Sequence, residues 1–164
     1  MVLATFSSPA STSAPPPALT ARAKLPQVIA AAKNWRPDAA LTHVSSITVR
    51  ADGTAQSWLY TFYAAKSKKS LIVTATVGAA LDKLETPNTS IQPLGDVFID
   101  SDKAMQEAKK HQLKGTEPGM GLVVMGKTGP GIWSVNGGYA EGDVSVMLNG
   151  KTGAFIRRQV ITYK

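Results

Sequence analysis

Residues 57–64, Ser-Trp-Leu-Tyr-Thr-Phe-Tyr-Ala, decide how the first half of this chain is read. Side chains alternate between the faces of a β-strand, so Trp58, Tyr60 and Phe62 share one face while Leu59, Thr61 and Tyr63 share the other. A polar turn at 66–70 leads into 71–77 (Leu-Ile-Val-Thr-Ala-Thr-Val), rich in β-branched residues and read as a second strand. On the other side Asp52-Gly53, a strong hairpin signal, joins the Trp strand to an alternating stretch at 46–51. Before these strands, Leu25, Val28, Ile29 and Ala32 recur at helical spacing. Pro26 suits a first turn, and Pro37 ends the helix by forcing its predecessor out of the α region. The expectation is one helix packed on a three-stranded meander.

The same order returns in the second half. Val28, Ile29 and Ala32 map onto Ala104, Met105 and Ala108; Trp58 and Gly78 map onto Trp133 and Gly153, one residue closer. Ser101 is expected to cap the second helix, which runs to about Leu113 and stops at Gly115. Strands follow at 122–125, around Trp133 up to a break at Gly137-Gly138, at 143–148 and at 154–163. Gly121 to Thr128 spells a phosphate-binding loop, but its four middle residues form an apolar strand and Gly129-Pro130-Gly131 cannot continue a helix. It is read as a strand and a turn. Residues 78–97 leave a strand or a helical turn open.

The expected fold class is therefore α+β, two similar units of α-β-β-β order at 25–97 and 98–164. They follow a Ser, Thr, Ala and Pro-rich tether at 1–24, too poor in large apolar groups to offset its ordering entropy. A tether at that place suggests an export signal or lipid anchor upstream. The 164 residues carry no cysteine and no apolar run near the roughly 20 residues of a membrane span. A net charge of +7 favours anionic surfaces or partners, yet no basic run reads as a nucleic-acid tail.

No catalytic constellation emerges. His43 and His111 lack a metal-ligand spacing, and Asp100 with Asp102, or Asp82 with Glu85, read as helix-end and loop charges rather than acid–base pairs. Asn88-Thr89-Ser90 is a glycosylation sequon only in a eukaryotic secretory host. Neither cofactor nor metal is expected. Trp58, Trp133, Gly78 and Gly153 are assigned structural roles. Tyr63 with Lys68 and Lys69, and Tyr139 with Arg157 and Arg158, are the candidate binding residues, since Tyr and Arg are enriched where partners dock.

The segment 148–156, Leu-Asn-Gly-Lys-Thr-Gly-Ala-Phe-Ile, resembles the closing strand of the PepSY domain family: Thr152, Gly153 and Ile156 fit, while Asn149-Gly150 stands where Asp-Ala is usual. In the first unit Val77-Gly78 and Leu81 take the corresponding places. The resemblance implies paired α/β units in an exported bacterial protein that inhibits peptidases or binds. Function is accordingly expected to be non-catalytic binding in the periplasm, on the outer membrane or outside the cell, by a monomer whose partner is a protease or another envelope protein. A small-molecule or lipid carrier is the alternative; an enzyme or a specific nucleic-acid binder is less favoured.

Overall fold

The structure, a computed structural model, describes residues 16–87 and 92–163. Its elements run α1 (Leu25–Trp35), β1 (Ala39–Ser46), β2 (Ser57–Ala64), β3 (Lys69–Thr76), β4 (Asp82–Pro87), α2 (Ser101–Lys110), β5 (Gly119–Val124), β6 (Gly131–Tyr139), β7 (Gly142–Asn149) and β8 (Phe155–Thr162). All the described strands join one antiparallel sheet of order β4-β3-β2-β1-β5-β6-β7-β8. This corrects the expected α+β fold of two similar units of α-β-β-β order, each one helix packed on an antiparallel sheet. A single eight-stranded sheet, with two short helices on it, spans the molecule.

The seam lies where β1 and β5 pair, His43 to Ser46 against Val123 to Met120. Behind it the buried rings of Trp58 and Trp133 meet edge to face, centroids 6.2 Å apart at 78°. Phe98 adds a second edge-to-face contact with Trp133. A buried indole N–H must find an acceptor: Trp58 Nε1 donates to the Leu19 carbonyl at 2.9 Å, and Trp133 Nε1 to that of Ile99 at 3.0 Å. The chain leading into each helix is thereby fixed to the sheet.

The helix starts are also tied to each other. Ala21 N–H donates to the fully buried Ser101 hydroxyl, Arg22 N–H donates to Asp100, and the Arg22 guanidinium donates to the Phe98 carbonyl. Asp100, not the expected Ser101, caps α2, which frees the serine for this bond. The described part of the expected tether, 16–24, is thus held: Leu19 bridges Ala55, and the Tyr60 hydroxyl donates to the Ala21 carbonyl at 2.7 Å. Residues 1–15, like the sequon at 88–90, lie outside the described residues.

Local readings shift for identifiable reasons. The first strand is 39–46 rather than 46–51. Arg50 to Thr54 instead form a turn closed by Arg50 N–H to the Thr54 carbonyl, which carries Gly53 against the start of α2. A Cβ on Gly53 would stand 2.5 Å from the Ser101 carbonyl. The open stretch at 78–97 contains β4. The break expected at Gly137-Gly138 is absent, and β6 runs through both glycines. Gly137 is needed because a Cβ there would fall 1.7 Å from the Lys114 carbonyl oxygen.

Two glycines separate contact from backbone strain. Gly137→Ala is expected to cost about 3 kcal/mol or more, since the obstacle is backbone that must move. Gly78→Ala, at φ 68° in open space, should cost only about 1–2 kcal/mol of left-handed strain. Urea unfolding of both variants, with m-values compared, checks the order.

Candidate binding surface

Because both helices lie on one face, the sheet's residues divide sharply. Trp58, Tyr60, Val73, Leu122, Trp133, Val146 and their neighbours are buried under α1 and α2. On the reverse face a row crosses the strands through Leu59, Ser45, Gly121, Ser134, Met147 and Arg157, each opposite the next in the register. The adjacent row contains Leu84, Ile72, Thr61, His43, Val123 and Ile132. No described helix covers this face. Apolar side chains alternate there with hydroxyls, and Leu59 and Leu84 remain 37% and 59% exposed.

His43 marks its centre. Its imidazole lies beside Gly121: a Cβ at Gly121 would stand 3.5 Å from His43 Nε2, in ordinary contact. Burial lowers the His43 pKa from 6.5, favouring the neutral ring. Toward β8 the face sinks into a hollow of about 340 Å³, lined by Asn136, Asp143, Ser145, Gln159 and Ile161 over Gly137-Gly138. Asp143 accepts a hydrogen bond from the Tyr163 hydroxyl, which raises the phenol's pKa.

The candidate residues do not form one site. Tyr63 is half-buried on the open face of β2, beside Ser70. Lys68 is exposed in the β2–β3 turn at φ 54°. Lys69 points to the helix side, where it pairs with Glu85 at 2.5 Å; Trp35 Nε1 donates to the same carboxylate and Arg36 stands 3.7 Å away. The Lys69 and Trp35 hydrogen bonds hold Glu85 below the usual carboxylate range. In the other half Tyr139 lies under Lys114 Nζ at 4.6 Å. Arg157 is on the open face and Arg158 on the helix side of β8. The two groups are separated by the seam strands.

The residues assigned structural roles sit apart from this surface or at its turns. Trp58 and Trp133 are fully buried; Gly78 follows β3. Gly153, at φ 78°, closes the β7–β8 turn with Thr152, whose N–H, like that of Lys151, donates to Asn149 Oδ1. The open face as a unit escaped the sequence reading; its signal is the apolar set Leu59, Ile72, Leu84, Val123 and Ile132 at positions opposite the aromatic face. Among the described residues no three His, Asp or Glu side chains converge as metal ligands. No described helix is long and apolar enough to cross a membrane.

No family model matches the chain, and no curated protein matches it. In structure it is similar to a candidate lipoprotein from Clostridium difficile 630, with a TM-score of 0.58 over 84% of this chain and 92% of that one, at 12% identity. At that identity the likeness concerns the fold.

His43 gives a pH signature. Its folded pKa lies below the unfolded value, so the unfolded chain binds more protons as pH falls through 6.5, and stability drops. The carboxylates with lowered values, Asp38, Asp52, Glu85 and Glu107, act in a lower window, near and below 3.8 to 4.5. His43→Gln should therefore flatten the stability curve between about pH 6.5 and 5, as read by urea unfolding at stepped pH; an unchanged slope would refute the assignment.

Proposed function

We propose that the chain is a non-catalytic binding module of the cell envelope whose partner, a protease or another envelope protein, docks on the open face of the sheet. The observation that carries this reading is the one-sided cover: no described helix lies over the reverse face, and Leu59 and Leu84 stay exposed there. Contiguous apolar surface ringed by polar groups marks interaction sites in soluble proteins. The placement of Leu59 and Leu84 among Thr61, Thr74 and Ser45 has that character.

The envelope setting is supported by the fold shared with a candidate lipoprotein. Kinship with PepSY domains belongs to the same proposal and rests on Thr152, Gly153 and Ile156. A carrier would hold its cargo between helices and sheet, but Trp58, Trp133, Met105 and Leu122 fill that space.

The test compares the protein with Leu59→Asp/Leu84→Asp, two changes at exposed positions that should leave the melting temperature within a few degrees. Both are immobilised and exposed to envelope extract, and retained proteins are identified by mass spectrometry. A protein held by the parent and recovered at about one-tenth or less by the variant, as expected for loss of a docking centre, supports the reading. Identical recovery, or none above background, defeats it.

A further inference from the structure

The two edges of the sheet are built differently. β4 presents Asp82, Lys83 and Glu85 and ends in Pro87, which are devices that discourage further strand pairing. β8 lacks the acidic residues and the proline, and its charged side chains, Arg157 and Arg158, are of one sign. After a register shift at its start, Arg157 to Thr162 pair residue by residue with β7, without proline, glycine or an acidic residue. Their outer backbone groups meet no further strand among the described residues. Val160 and Ile161 are 43% and 55% exposed.

The strand is also anchored at both ends. The Asn149 N–H donates to the Ala154 carbonyl before it; beyond it the Tyr163 N–H donates to Glu141 and its hydroxyl to Asp143. An edge already ordered on one side loses little entropy when a strand is added to the other. Its charge is uncompensated. Among the described residues neither Arg157 nor Arg158 has an ion-pair partner, and Arg158 Nε is buried without a hydrogen bond.

We propose that β8 is a strand-addition site for an extended acidic segment of another protein. Backbone hydrogen bonds to an edge supply affinity, and alternating side chains supply selection. Arg157 and Arg158 are consecutive, so each projects from a different face, and the residues opposite them in an added antiparallel strand are consecutive too. Opposite charges across a ladder attract, which selects two adjacent carboxylates there. Val160 and Ile161 select apolar residues. The segment therefore reads, from its N-terminus, apolar, apolar, any residue, acidic, acidic. A second copy fits worse, because it would bring two Arg157-Arg158 pairs onto one ladder between chains that each carry +7.

This site goes beyond the open-face reading and does not rest on it; Leu59→Asp/Leu84→Asp, toward the far edge, should leave it unchanged. The probe is a fluorescent blocked peptide, Thr-Ile-Val-Thr-Glu-Glu-Thr, titrated against the full chain by anisotropy. Expected are saturable binding weakened by salt, slowed amide exchange confined to 157–162, and loss of about tenfold or more in Arg157→Glu/Arg158→Glu. A peptide with Lys for Glu should recover binding to that variant. Methylating the peptide nitrogens that face β8 should abolish binding, a control that leaves the protein unaltered. Equal binding of the methylated or a scrambled peptide, protection elsewhere, no binding at about 1 mM, or a dimer that the peptide cannot dissociate would overturn the proposal.

Discussion

The contact between Trp58 and Trp133 is the constraint from which the rest of the molecule follows. Two large rings bury their area only if the strands carrying them are held at a fixed distance, which pairing of β1 with β5 between β2 and β6 provides. Each indole then needs an acceptor, and the acceptors at Leu19 and Ile99 lie just ahead of the two helices. Satisfying two buried donors thus sets where α1 and α2 enter the sheet. The bonds from Ala21 to Ser101 and from Arg22 to Phe98 and Asp100 complete the joint. Aromatic pairing of this kind contributes about 0.5–1.5 kcal/mol beyond burial; its larger effect is on geometry.

Size explains what the joint leaves uncovered. Eight strands at about 4.8 Å spacing make a sheet about 34 Å wide. Two helices about 10 Å across cover some 20 Å of it, on one face. The central strands are accordingly buried on the helix side, while β4 and β8 are exposed along most of their length. The open face and the free edges are thus the consequence of a sheet too wide for its helices. At β4 the exposure is offset by charge, Glu85 drawing in Lys69, Arg36 and Trp35. At β8 Arg157 and Arg158 stand with apolar residues, Gln159 and Thr162, and no acidic residue offsets them.

How far the sequence discloses this depends on the kind of interaction. The Trp strands, the spacing of Leu25, Val28 and Ala32, and the Thr152-Gly153 turn are local patterns, and each is visible in a few residues. β1 is hidden because a register shift between Leu41 and His43 interrupts its alternation. β8 shows no alternation because neither of its faces is fully covered. Gly137 resembles a strand break, and only the Lys114 carbonyl, distant in sequence, reveals it as a close approach. The pairing of β1 with β5 is likewise long-range, so two echoing stretches read as two units when their strands belong to one sheet. Arg157, Arg158 and Tyr63 could be singled out by type, but the face each occupies depends on that sheet.

The seam links the core to the surface directly. On the helix side Val44 stands opposite Leu122, fully buried; one residue away on the reverse face, His43 stands opposite Val123. A strand shift that loosened the tryptophan pair would therefore displace the His43–Gly121 contact at the middle of the open face. Because β-strand side chains alternate at a fixed period, the two faces cannot adjust independently. The register that buries Trp58 and Trp133 is the same register that places Leu59, Ile72 and His43 outward, so the proposed docking face inherits its shape from the most deeply buried contact in the molecule.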